Sequence, residues 1–132
     1  MALRISRALQ AQMLAEAARA PEREICGLLF GTSGEHVAAA HSCANVAADP
    51  SRAFEIDPLA LIAAHKAQRG GGPNLIGWYH SHPNGRPEPS PCDRDAANEV
   101  GKLWLIIAQG NVRAWRATGA GTLLEIPLEL VD

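Results

Sequence analysis

The stretch from Gly77 to Asp93 reads GWYHSHPNGRPEPSPCD, and the rest of the chain is best understood around it. Two histidines, His80 and His82, stand at alternate positions at the end of an apolar run that starts near Leu75, and Pro83 stops that run. On a strand, alternate side chains share a face, so both imidazoles point one way while Ser81 points the other. Ser90 and Asp93 follow ten and thirteen residues after His80, beyond a loop that carries Gly85 and prolines 83, 87 and 89. Ser90 before Pro91, with an acid at the third helical position, is also a helix start signal in its own right. A loop of this length can fold Asp93 back onto the paired imidazoles. Two imidazoles and one carboxylate are the ligand set of a catalytic zinc that keeps one position for water.

Water activated in that way needs a proton acceptor nearby. The candidate is Glu24, the single charge at the mouth of the apolar run EICGLLFG (24–31). A carboxylate there is costly unless something partners it. Glu22 and Glu35 fall in expected loop or turn and are weaker candidates. Ser90 can donate a hydrogen bond to the oxygen that becomes negative when water attacks a carbonyl.

Outward from this centre, the pattern predicts interspersed helices and strands. Leu3 to Ser6 alternates like a short strand, and Ser6 is an N-cap for a helix over Arg7–Arg19 with Leu9, Met13, Leu14 and Ala17 at helical spacing. Glu24 to Gly31 reads as a buried strand and Glu35 to Val46 as a second one. Phe54 to Ile56 reads as a brief strand, and Asp57-Pro58 opens a helix to about Arg69, ended by three glycines and Pro73. A third helix runs from Ser90 to Val100 or Lys102. Leu103–Ala108 (LWLIIA) is a central strand, Gly110-Asn111 a turn, and Val112–Ala117 its hairpin partner. Thr122 to Val131 is a last strand in which Pro127 demands an edge or a bulge. The class expected is α/β or α+β around one mixed sheet, as a single domain over residues 1–132.

Composition excludes several functions. Among 132 residues, 12 Lys+Arg stand against 14 Asp+Glu, with no basic block of the kind nucleic-acid binders use. No apolar run approaches the roughly 18–20 residues of a membrane span, and the first residues lack the pattern of a signal peptide. Three irregularly spaced cysteines (Cys26, Cys43, Cys92) suit free thiols in a reducing cytoplasm.

The string His80-Ser81-His82-Pro83, with Ser90 and Asp93 at their spacing, resembles the motif of the JAMM (MPN+) zinc metalloproteases. Glu24 followed by Gly27-Leu28 and Gly31 fits the family's upstream pattern. The resemblance implies Zn2+ held by His80, His82 and Asp93, with Glu24 as general acid/base and Ser90 as stabiliser of the tetrahedral intermediate. It implies a curved mixed β-sheet flanked by about three helices, similar to the zinc deaminases. The implied substrate is a protein or peptide, a ubiquitin-like or β-grasp sulfur-carrier protein cut at its C-terminal tail. The loop 84–89 lacks the Cys-Trp pair of eukaryotic relatives, and the segment after Asp93 has little room for their ubiquitin-clamping insertion. The chain therefore looks more like compact prokaryotic members.

Other readings stay open at this point. The same domain serves in metal-free relatives as an interaction scaffold, the compact chain also resembles the peptidase modules of phage tails, and the loop HPNGRPEPS (82–90) is similar to one in the bacterial RadC family. Asp93 can act as a cap alone, and Cys92 can complete a closed structural site. A nucleobase deaminase would need H-x-E and a second cysteine, and neither is present. Cys26 reads as a buried thiol and Trp78 as packing on the histidine face. Asp95 and Glu99 read as solvent-facing, and His36, His41 and His65 have no pattern of partners.

Overall fold

The computed structural model describes residues 2–132. Chain order is β1 (Leu3–Ser6), α1 (Arg7–Arg19), β2 (Cys26–Gly31), β3 (His36–Val37), β4 (Ala39–Cys43), α2 (Pro58–Arg69), β5 (Asn74–Ser81), α3 (Pro91–Ala96), β6 (Leu103–Ala108), β7 (Asn111–Gly119), β8 (Thr122–Ile126) and β9 (Leu128–Val131). A six-stranded mixed sheet has the order β4-β2-β5-β6-β7-β8, and a three-stranded parallel sheet has the order β3-β1-β9.

The caps act as their residues dictate. Ser6 Oγ accepts from Leu9 N at 3.0 Å to start α1, and Asp57 Oδ1 accepts from Leu59 N at 3.0 Å to start α2. The central strand β6 is buried on both faces, which suits its unbroken apolar run. Leu103, Leu105 and Ile107 face a core shared with Leu3, Ile5 and Met13, so α1 and the small sheet cover that side. Trp104 and Ile106 face the other side, with Trp115, Ala97 and Leu123. Beside them, Ala64 of α2 closes over Leu28, Phe30 and Leu75.

Two glycines let the central strands approach this closely. A Cβ on Gly27 would run into the Tyr79 ring on the neighbouring strand, and one on Gly77 would meet the Leu103 backbone. Register shifts at Leu29/Phe30 as β2 passes from Gly77 to Leu75, so Ile76 is the extra residue of a bulge. Beyond the bulge the alternation sets His80 on the face of Trp104 and Tyr79 in the opposite core.

Several boundaries differ from the sequence expectation, each for a local reason. The strand expected from Glu24 begins at Cys26, because Glu24 N–H turns to donate to Pro50 O at 2.7 Å. The strand expected over 35–46 splits in two, since Ala38 N bonds to Phe30 O between the halves. Phe54–Ile56 forms only a single bridge, Asn45 to Ile56. Helix α3 stops at Ala96, and Gly101 sits at φ 92° in the turn that follows. Pro127 does more than mark an edge: it divides the last strand, and the chain passes from the large sheet to the small one, where Leu3 N donates to Pro127 O at 2.9 Å.

Strands β5 and β6 are parallel and adjacent. The chain therefore leaves the carboxyl end of β5, crosses through α3, and returns. In open α/β sheets the crevice outside such strand ends is where ligands bind.

Candidate metal centre

His80 lies one residue before the carboxyl end of β5 and is fully enclosed. Its ring stacks on Phe54, with centroids 4.1 Å apart and planes 20° off parallel, and meets Trp104 edge-on. His82 lies one residue past the strand, held by its N–H to Ile107 O at 2.8 Å. Asp93 is buried although it sits in the first turn of a six-residue helix. A capping box explains this: Asp93 N donates to Ser90 Oγ at 3.1 Å, and Ser90 N donates to Asp93 Oδ2 at 2.9 Å. The cap and the inward-pointing carboxylate are one arrangement, so capping leaves the Asp93 carboxylate turned toward the imidazoles.

Three donor groups converge. His80 Nε2 lies 3.0 Å from Asp93 Oδ1, His82 Nε2 lies 3.0 Å from Asp93 Oδ2, and the two Nε2 atoms are 3.0 Å apart. Tetrahedral zinc with bonds near 2.0–2.1 Å separates its ligand atoms by roughly 3.3 Å. Glu24 approaches the two imidazoles, since ligand atoms of Glu24, His80 and His82 all lie within 4.8 Å of one another, a set that does not include Asp93. A cleft of about 200 Å³ opens here, lined by Glu24, Ser51, His82, Asn84 and Ser90 among others.

The hydrogen bonds favour a cation at that point. His82 Nδ1 lies 2.8 Å from Arg86 O, and a carbonyl only accepts, so Nδ1 carries the proton. A neutral His82 then aims a bare Nε2 lone pair at the Asp93 carboxylate. Such an arrangement is stable only with a proton or a metal ion between the two atoms. Glu24 Oε1 is buried with no hydrogen-bond partner among the described residues, another acceptor turned toward the same space. The donor set, its spacing and these unpartnered acceptors fit zinc.

Ionisation follows from the same contacts. Burial pushes Glu24 up to about 7, with His82 pulling it back and the charge of Asp93 adding to the rise. Burial also works against Asp93, but hydrogen bonds from His80, His82 and the Ser90 backbone outweigh it and hold this carboxyl far below the usual range. Burial lowers His80. Burial pulls His82 down too, yet the Asp93 hydrogen bond, the Arg86 carbonyl and the charges of Asp93 and Glu24 together raise it.

Of the residues singled out in the sequence, Glu24, His82 and Ser90 therefore line the cleft, and His80 and Asp93 are buried against His82 behind it. Cys92 does not join them: it is exposed on α3, which removes the closed four-ligand site. Glu22 and Glu35 are outside the cleft and exposed. Cys26 is a buried thiol that burial pushes up to about 12, and Trp78 packs edge-on against Trp104. The sequence reading missed Phe54 and the Arg86 carbonyl, because ring stacking and backbone acceptors leave no mark in local spacing.

Comparison with known proteins then decides the family. Residues 6–118 match the family described as prokaryotic homologs of the JAB domain. The chain belongs to that family. Within it, a desampylase of Haloferax volcanii is 41% identical over 105 residues, spanning 78% of this chain and 76% of that protein. A probable TtuB-protein conjugate cleaving protease of Thermus thermophilus is 42% identical over 72 residues, 54% of this chain and 47% of that protein. A Desulfitobacterium hafniense protein solved in solution superposes with a TM-score of 0.83 at 26% identity, covering 98% of this chain and 93% of that one. The single α/β domain with a mixed sheet and three helices is thus a prokaryotic JAB fold. Among the described residues no helix is long and apolar enough to cross a membrane.

Proposed function

We propose that the chain is a zinc-dependent JAMM-type hydrolase. It cleaves an amide or isopeptide bond at the C-terminal tail of a ubiquitin-like or sulfur-carrier protein. The observation that carries this reading is the convergence of Glu24, His80, His82 and Asp93 beside an open cleft. It is supported by kinship with a desampylase and a conjugate-cleaving protease.

In this reading His80, His82 and Asp93 hold the zinc. When bound, the ion polarises the scissile carbonyl and makes water reactive near neutral pH. Every other step belongs to the chain. Glu24, raised to about 7, takes the proton from the attacking water and passes it to the leaving amine. Ser90 Oγ already accepts from Asp93 N, so its own O–H remains to donate to the carbonyl oxygen as charge develops there. Phe54 and Trp104 wall off His80 from water. The loop 83–89 that borders the cleft is held by Trp115 Nε1 donating to Pro87 O at 3.2 Å and by Arg113 with Glu88 at 3.3 Å.

The test is incubation of the zinc-loaded protein with small β-grasp proteins carrying C-terminal extensions or lysine-linked conjugates, read by mass spectrometry. Trimming that stops with a chelator, returns with zinc, and drops by about a thousandfold in Glu24→Gln while zinc stays bound is the expected result. Cleavage of unrelated peptides with no β-grasp protein touched would overturn the substrate class. An undiminished Glu24→Gln variant would overturn the mechanism.

A further inference from the structure

The proton acceptor and the innermost histidine come from segments far apart in the chain, and one side chain that belongs to neither ties them together. Asn45 follows β4, at the root of the loop that runs to Ile56. Its Nδ2 donates to Glu24 O at 2.9 Å and to Ala53 O at 3.0 Å. Its Oδ1 accepts from Ala47 N at 3.0 Å and from Glu55 N at 3.0 Å. A carboxamide offers two N–H donors and two lone pairs, and here all four are used on backbone groups. That pattern also fixes the amide orientation, because a flipped group would set its oxygen against the Glu24 and Ala53 carbonyls and its donors against the Ala47 and Glu55 N–H groups.

The four bonds fall at telling places. One holds the backbone of Glu24, whose own N–H donates to Pro50 O at 2.7 Å, so the same loop grips this residue at both ends. Two more hold Ala53 and Glu55, the residues on either side of Phe54. Phe54 is the ring stacked on His80 at 4.1 Å. Val46 N donates to Glu55 O at 2.9 Å and closes the loop root behind the amide.

We propose that Asn45 is a positioning residue. Its carboxamide sets the Glu24 backbone and the Phe54 ring against His80, fixing the distance between the proton acceptor and the metal-binding imidazoles. It touches neither substrate nor metal and acts only through Glu24 and Phe54. The assignment rests on the hydrolase reading above for its catalytic half. Its metal half stands without that reading.

The experiment uses Asn45→Asp, which keeps the shape and acceptors but sets a carboxylate against the carbonyls of Glu24 and Ala53. Asn45→Ala is the second variant, since it introduces no charge and leaves room for water to solvate the freed groups. Zinc affinity, by competition with a chelator, is expected to fall about tenfold in Asn45→Asp and in Phe54→Ala. The double variant is expected to lose little more than either single one, because both act through one ring. In the hydrolysis assay kcat is expected to fall at least tenfold with KM within twofold of wild type. The cost should nearly vanish in a Glu24→Gln background under single turnover, yet add fully to Ser90→Ala.

Wild-type zinc affinity in a folded Asn45 variant, or additivity with Phe54→Ala, overturns the metal half. Unchanged kcat, or full additivity with Glu24→Gln, overturns the catalytic half. A wild-type protein that hydrolyses nothing while the zinc cycle behaves as expected sinks the hydrolase reading and keeps Asn45 as the clamp of His80.

Discussion

At the scale of single residues, Glu24 is where burial and function meet. Its folded pKa is raised from 4.5 to about 7, chiefly by burial. A carboxyl raised in this way stabilises the fold fully at pH below its unfolded value and loses that contribution as pH rises through about 7. In metal-free protein, then, Glu24→Gln should melt several degrees above wild type at pH 8, while the difference narrows through pH 5 and closes only below about 4.5. Melting curves across that range check it, and a difference that does not depend on pH would contradict the burial of this carboxylate. Ser90 caps α3 and in the proposed mechanism also donates to the substrate oxygen, so Ser90→Ala should cost about 1 kcal/mol through the lost cap and separately lower kcat by about a hundredfold. Denaturant unfolding and steady-state kinetics on the same preparation separate the two losses. The five polar residues at and behind the cleft were legible in the sequence because histidine pairs at period two and a capped acid carry their geometry in their spacing. Phe54 and Asn45 were not legible: one works through a ring face and the other through backbone groups, and both contacts span distant segments.

At the scale of elements, β2 and β5 are held close by absence of side chains as much as by their presence. Gly27 lies beneath the Tyr79 ring, and Tyr79 in turn donates to Glu16 Oε2 at 3.0 Å on α1. Gly27→Ala should force β2 and β5 apart and destabilise by about 2–3 kcal/mol, an overpacking cost seen as a lower urea midpoint with little change in slope. Zinc affinity should fall with it, because His80 sits on β5 opposite Cys26 of β2. Helices α1 and α2 were readable to the residue from Ser6, Asp57-Pro58 and the triple glycine. Helix α3 was read too long, since Ala96, Ala97 and Glu99 all favour helix and nothing in Asn98-Glu99-Val100 announces the turn at Gly101. The broken strand over 35–46 escaped notice because its small apolar residues give alternation without the bulk that marks a register.

At the scale of the whole molecule, the centre joins the carboxyl end of β5 to the start of α3, the crossover between two parallel central strands. An ion bound there cross-links sheet and helix, so zinc at a hundredfold above its dissociation constant should stabilise by about 2.7 kcal/mol and raise the melting temperature by a few degrees. A chelator should reverse the shift, and calorimetry with and without zinc reads it directly. The mixed class was legible from the interleaving of helical and strand periods, whereas the separation into two sheets was not, because which strands pair is a long-range matter. That separation has a consequence during synthesis. In the small sheet Leu3 pairs in register with Leu128 and Ser6 with Val131, so β1 finds its second neighbour only when β9, about 120 residues later, has emerged from the ribosome. Leu3 and Ile5 wait uncovered on that edge until then. A ribosome-bound chain that has emerged only as far as residue 127 should be clipped by proteases near Leu3, and emergence of the four residues of β9 should protect it.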